Sequence, residues 1–350
     1  MWTPLKEARN ALVNQFLRPK RLLEAITAHP ELTFNLETEK SSSIALGQVV
    51  HWDRLVERLV DGRRGYNLNN GQAYLSGLAY QNGQYHFAPL ALPAVSGAGE
   101  WTRVEQDWHC DIRQVQGLSA SKSDLTKFES LDQFVRQQSP EMIAEINQEG
   151  LRRNLAHREI RILDPNSTAD FFVRHTWDGR LFLANSGGSH HFAAARLIAG
   201  ELDVKVPLSG RLYKRYLDER VIYSLMEDFD IFTVRTKALH TSGFSQGLED
   251  FKATYAFSDM PLPFNCYAAD DQQATILWLP KNNDRSSVIA NELRQAGFFD
   301  LNRHFVGLLN RQSALLKQWE QPCAEQNNEP WQQEYEHEHG LDQQLVRPRM

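Results

Sequence analysis

Residues Asn185 to Leu202, NSGGSHHFAAARLIAGEL, decide how this chain is read. Immediately before them, Leu181 to Ala184 are apolar without alternation, which predicts a strand covered on both faces. After them, the run Ala193, Ala194 and Ala195 predicts a helix that packs closely on a sheet, and Gly200 predicts its stop. A strand-to-helix junction needs a turn and a cap. Two glycines, a serine and two adjacent histidines are more than that, and the surplus points to a ligand.

The neighbouring residues extend the pattern. FFVRHTW at 171–177 and IRIL at 160–163 are strand-like, and Asp178-Gly179 predicts a turn that sends the chain back through RLFLAN. DVKVPL at 203–208 predicts the next strand. Further on we expect a helix over Tyr213 to Met226, a strand over Phe229 to Val234 and a helix over Gln246 to Phe257. ATILWLP at 274–280 predicts a buried strand, and a helix over Ser286 to Gln295 follows it. Alternating elements over 160–296 predict an α/β layer structure.

Upstream, Leu125, Phe128, Leu131 and Val135 form a helical stripe, and Ser139-Pro140 predicts the start of a second helix that Gly150 ends. Asn82-Gly83 between two aromatic-rich runs predicts a hairpin over Tyr74 to Leu90. Leu5 to Phe16 and Leu55 to Val60 have helical periodicity, and PAVSGAGEW at 93–101 predicts a surface loop. The expected divisions are an N-terminal helix and hairpin accessory region over 1–122, a core over 123–240, a C-terminal α/β extension over 241–320 and a disordered polar tail over 321–350.

Composition narrows the function classes. With 350 residues, 41% of them hydrophobic, the chain can bury a large core. A net charge of -6 disfavours polyanion binding by the whole surface, so DNA would need a local patch such as GRLYKRYLDER, with Arg211, Lys214, Arg215 and Arg220. The acidic residues interleaved there, Asp218 and Glu219, favour a solvated helix face instead. Cys110, Cys266 and Cys323 are too far apart for a C-x-x-C pair. No run of 18 apolar residues and no apolar leader is present, so the expected location is the cytoplasm, with no membrane partner. Walker A, G-x-G-x-x-G and G-x-S-x-G motifs are absent.

At the junction itself, a glycine pair opens conformations closed to other residues, and the first N–H groups of the helix carry partial positive charge that attracts an anion, phosphate above all. Ser189 adds a hydroxyl that can donate to phosphate or act as a nucleophile if a base is near. His190 or His191 can supply that base or, when protonated, a positive charge. Adjacent helical residues diverge by about 100°, so one of the two histidines is expected to be structural, and no metal is assigned to the pair. EYEHEH at 334–339 reads as a solvated charge run rather than a metal site. Glu227, Asp228 and Asp230 are candidates to hold Mg²⁺. A plain helix cap accounts for the same junction residues.

The order strand, Gly-Gly-x-His, small-residue helix, glycine, strand over about 171–208 resembles the nucleotide-binding element of the ParB/sulfiredoxin-like superfamily. Its carriers here are Gly187, Gly188, Ser189, His190 and His191. The resemblance implies a ParB/sulfiredoxin-like mixed sheet with helices, whose turn cradles the phosphates of ATP or another nucleotide, with or without Mg²⁺. Sulfiredoxins carry Gly-Gly-Cys-His-Arg there; Ser189 replaces the reactive cysteine, which rejects sulfinic-acid reduction. His191 replaces a phosphate-binding arginine, and Arg196, Arg211 or Lys214 are the candidates to compensate. The expected function is phosphoryl transfer or nucleotide hydrolysis. Gly187, Gly188 and Ser186 would shape the loop, Ser189 and His190 would carry the chemistry, and a small hydroxyl compound is a candidate acceptor. The alternatives are a DNA-associated, nucleotide-gated binder or nuclease and a non-catalytic regulatory protein with a degenerate site.

Overall fold

Asn82 and Gly83 both take positive φ, 51° and 89°, the two left-handed residues that a tight hairpin turn demands. They join β1 (Tyr74–Gln81) to β2 (Gln84–Ala91), paired in register from Tyr74 with Ala91 to Gln81 with Gln84. The computed structural model describes residues 18–53, 55, 73–92, 102–164 and 169–320. The expected helices over 5–16 and 55–60 (Leu55 excepted), the 93–101 loop and the 321–350 tail lie outside the described residues.

Beyond the hairpin, the strands are β3 (Thr102–Asp111), β4 (Gly117–Leu118), β5 (Phe171–His175), β6 (Leu181–Ala184), β7 (Pro207–Arg215), β8 (Phe229–Arg235), β9 (Tyr255–Asp259) and β10 (Ala274–Pro280). They build two five-stranded sheets, β2-β1-β9-β10-β8 and β3-β7-β5-β6-β4. All pairings in the first are antiparallel. The second is mixed, because β5 runs parallel to β7 and β4 parallel to β6. The expected α/β class is therefore present as one antiparallel and one mixed sheet.

Ten helices appear among the described residues: α1 (Lys20–Ala28), α2 (Leu36–Glu39), α3 (Leu131–Gln138), α4 (Gln148–Leu155), α5 (Ser189–Glu201), α6 (Glu219–Asp228), α7 (Thr236–Thr241), α8 (Phe244–Asp250), α9 (Asp284–Gln295) and α10 (Leu301–Glu320). None is long and apolar enough to cross a membrane.

Alternating side chains of β10 explain why ATILWLP is apolar throughout. Ile276 and Trp278 enter one buried cluster, with Phe229 and Ile231 of β8, while Leu277 and Leu279 enter another, with Phe232 and Val234. Both faces of this strand are covered, so alternation is lost. A third cluster sits under the second sheet, where Phe192, Ala193, Ala194 and Ala195 of α5 meet Phe172, Leu181 and Leu183.

Several expected elements differ from the structure, each for an identifiable reason. Residues 160–163 form a short 3₁₀ turn over Arg161–Leu163. The strand expected from Asp203 begins only at Pro207 and continues through GRLYKR, because β7 is sandwiched between β3 and β5; the expected helix from Tyr213 starts instead at Glu219, capped by Asp218. The helix expected to reach Phe257 ends at Asp250 and gives way to β9. Ser139 and Pro140 open only a 3₁₀ turn, and the following helix is capped by Asn147, which accepts from the N–H of Gly150 in its first turn. Gly200 lies within α5 rather than ending it; Asp203, at φ 51°, makes the left-handed exit.

His304 of α10 faces Glu37 of α2, Nδ1 to Oε1 at 3.0 Å. Burial pushes its imidazole from 6.5 down to about 4, partly offset by Glu37. Between those values the unfolded chain binds a proton that the folded protein refuses, so stability is greatest above about pH 6.5 and falls as pH drops toward 4. The loss is expected to be on the order of 2–3 kcal/mol. Urea midpoints at pH 7 and pH 5 should drop clearly more in the wild type than in His304→Gln; equal drops would refute this assignment.

Candidate functional site

The junction is built from the end of β6. The Asn185 side chain accepts from the N–H groups of Ser119 and Ala120, both at 3.1 Å, and donates to the carbonyls of Ala120 and Gly187, both at 2.9 Å. One buried amide thus ties the turn to the 119–122 segment. Ser186 is held by Asp170, which accepts from its N–H at 2.8 Å and its hydroxyl at 2.6 Å; Arg161 donates to the same hydroxyl.

Gly188 precedes α5 in the left-handed conformation, φ 67°, and provides no side-chain cap. A Cβ there would lie 2.8 Å from the carbonyl carbon and oxygen of Glu159 and 2.9 Å from the Ile160 nitrogen. At Gly187 it would meet the Glu159 side chain at 3.3 Å. The space beside the Gly188 Cα is filled by the protein's own backbone. The glycine is required by conformation and packing, and any ligand approaches the helix N-terminus from the other side.

That side is a cleft of about 480 Å³, lined by Ala120, Ser121, Lys122, Ser139, Met142, His157, Glu159 and the run Ser186 to His191. Ser189 is buried and its hydroxyl donates to Ser121 Oγ at 2.9 Å, so its partner is another hydroxyl and not an imidazole base. The His190 ring lies between two serines, Nδ1 2.5 Å from Ser139 Oγ and Nε2 3.3 Å from Ser123 Oγ, and packs on Phe134 at 4.8 Å. His191 goes the other way. Its Nδ1 is 3.0 Å from Asn154 Oδ1, and the ring stacks on His157 at 3.8 Å.

The histidines diverge as adjacent helical residues must, yet both line the cleft, because it straddles the first turn of the helix. Burial pushes both imidazoles below the ordinary histidine value, and His157 beside His191 lowers that ring further. The neutral form therefore dominates at pH 7. Positive potential in the cleft comes from the free N–H groups of α5 and from the exposed Lys122, not from His190 or His191.

Ser186, Gly187, Gly188, Ser189, His190 and His191 are thus brought together, whereas the three cations expected to compensate for the missing arginine do not line the cleft. Arg196 donates to the carbonyls of Val115 and Arg113 and to Asp132. Arg211 and Lys214 lie on β7, Arg211 over the Tyr213 ring and Lys214 paired with Glu105. The rest of the basic run is also neutralised, Arg215 by Asp53 and Arg220 by Asp218. Glu227 and Asp228 line a separate cleft with Lys281 and Asn283, and Asp230 is bound to Arg294.

Sequence reasoning missed Ser121, Lys122, Ser139, His157 and Glu159. Ser139 was visible only as part of an expected helix start, and its hydroxyl caps no helix. The others come from connecting segments with no periodic signal. Among known proteins, the model of a family of unknown function, DUF6685, matches residues 105–318. No curated protein and no solved structure matches the chain.

Proposed function

The chain belongs to DUF6685, a family of unknown function, and we propose that its cleft binds the phosphates of a nucleotide, with His190 as the acid–base group of phosphoryl transfer or nucleotide hydrolysis. The observation that carries this reading is the 13-residue helix α5, whose uncapped N-terminus opens into a hydroxyl-rich cleft beside Lys122. Free N–H groups, serine hydroxyls and an ammonium are the donors that phosphate oxygens require. The resemblance of Gly187 to His191 to the ParB/sulfiredoxin-like element supports a nucleotide as the phosphate's bearer. Glu159, also in the cleft, would repel a bare phosphate, and a Mg²⁺ ion shared between its carboxylate and the phosphates removes that repulsion.

His190, neutral and held between Ser139 and Ser123, has one unprotonated nitrogen, which exchanges its serine partner, the longer contact being that of Nε2 to Ser123 at 3.3 Å, for the reacting oxygen. It takes the proton of an attacking water or acceptor hydroxyl as that oxygen bonds to phosphorus, and returns it to the leaving group. The test is calorimetric titration with ATP, ADP and CTP, with and without Mg²⁺, beside a turnover assay. Wild type should bind saturably, Lys122→Ala about 10-fold more weakly, and His190→Gln should keep binding while losing turnover. Binding without turnover in the wild type points to the non-catalytic alternative. No binding at millimolar nucleotide reduces the junction to a structural strand-to-helix turn.

A further inference from the structure

Away from this cleft, His51, Asp53 and His175 converge from two distant parts of the chain, and one donor atom from each lies within 4.8 Å of the other two. Among the described residues no other trio of His, Cys, Asp or Glu does so. His175 ends β5 and is wholly buried, and neither of its ring nitrogens has a hydrogen-bond partner. Asp53 is also buried. Arg215 binds its Oδ2, while Oδ1 has no hydrogen bond and lies 3.8 Å from His51 Nδ1.

A buried imidazole with both nitrogens unsatisfied forgoes one donor and one acceptor, a cost that native structures rarely carry without a function or a bound group. The surroundings are built to hold it there. His175 is in register beside Arg215, the residue that orients Asp53. The Trp177 indole donates to the Val50 carbonyl at 2.9 Å, and the His51 N–H donates to Leu262 O at 3.0 Å, so the loop carrying His51 and Asp53 is tied down on both sides.

We propose that His51, Asp53 and His175 bind a divalent first-row transition ion, with Zn²⁺ as the reference case. Two imidazoles and one carboxylate are the donors such ions prefer, whereas Mg²⁺ and Ca²⁺ require nearly all-oxygen shells that this trio does not provide. Tetrahedral ligands at Zn²⁺ are about 3.3 Å apart, so the trio must close by at most about 1.5 Å. Side-chain rotation of His51, the only one of the three not fully buried, supplies that movement. Three protein ligands leave a coordination position for water or a small ligand.

The test uses the full chain carrying His337→Ala and His339→Ala, which removes the competing histidines of the EYEHEH run. Equilibrium dialysis against Zn²⁺ should leave one equivalent bound, and Co²⁺ in its place should give visible absorption of a four- or five-coordinate centre. Adding His51→Ala should weaken binding by at least about 100-fold, since an inner ligand counts for no less than the 10–100-fold of an outer one. It should also abolish the rise in Tm that Zn²⁺ produces. His175→Ala should act alike, and His51→Ala decides the matter if that buried change prevents folding. No bound equivalent, or one that survives His51→Ala and is lost with His191→Ala, overturns the proposal.

Discussion

Gly188→Ala is expected to destabilise the fold by roughly 3 kcal/mol, while Gly187→Ala, one residue earlier, should cost no more than about 1 kcal/mol. At Gly188 two penalties combine. An L-residue held at φ 67° loses about 1–2 kcal/mol, and its methyl would overlap the Glu159 carbonyl and the Ile160 nitrogen at 2.8–2.9 Å. Backbone cannot swing aside as a side-chain end can, so either the 157–160 segment or the start of α5 must shift. At Gly187, which is not at positive φ, the nearest atom is the Glu159 Cβ at 3.3 Å, which moves only with its backbone but needs to give by no more than a few tenths of an ångström. Urea unfolding of the two variants gives the comparison directly. Equal losses would mean that the turn is not held against Glu159 as described. The same experiment separates stability from ligand binding, since Gly187→Ala should remain folded and titratable.

Asn185→Leu should lose roughly 3–4 kcal/mol although it nearly conserves volume. Four polar partners, the N–H groups of Ser119 and Ala120 and the carbonyls of Ala120 and Gly187, are bonded to one buried amide. The Ser119 N–H keeps the Leu183 carbonyl at 3.1 Å, so leucine orphans the Ala120 N–H and the carbonyls of Ala120 and Gly187, each at a cost of about 1–3 kcal/mol less what water at this part-buried turn restores. The effect should reach the cleft as well. Ser121 and Lys122 follow directly on the anchored residues, so nucleotide affinity should fall even in protein that remains folded at low temperature. Calorimetry at a temperature where the variant is folded by circular dichroism distinguishes the two losses. A variant with wild-type stability would show that the amide clamp contributes nothing net.

Much of the local structure was legible in the sequence. Asn82-Gly83 specified its hairpin because two consecutive left-handed residues admit few other sequences. Leu181 to Ala184 and ATILWLP were readable as buried strands, since continuous apolar runs require cover on both faces. The misread helix over Tyr213 to Met226 has the opposite cause: Tyr213, Lys214 and Arg215 carry no strong preference, and pairing with β3 and β5 draws them into a strand. Gly200 showed that a glycine near a helix end is not always its stop.

At the candidate site, the turn, its serine and its histidines were visible because they are contiguous. Their partners were not. Ser139, Asn154, His157 and Glu159 reach the junction only through the packing of α3 and α4 against α5, and His51 and Asp53 reach His175 only because the Val50 loop docks on the turn after β5. The sequence by itself determined the strand, the left-handed turn and the small-residue helix, since these follow from backbone sterics and side-chain periodicity within a few residues. Only the tertiary structure decided that Arg196, Arg211 and Lys214 are engaged elsewhere, that both histidines share one cleft, and that a buried His–Asp–His trio exists. Those outcomes depend on which distant groups satisfy one another's hydrogen bonds and charges once water is excluded, and no local pattern encodes that choice.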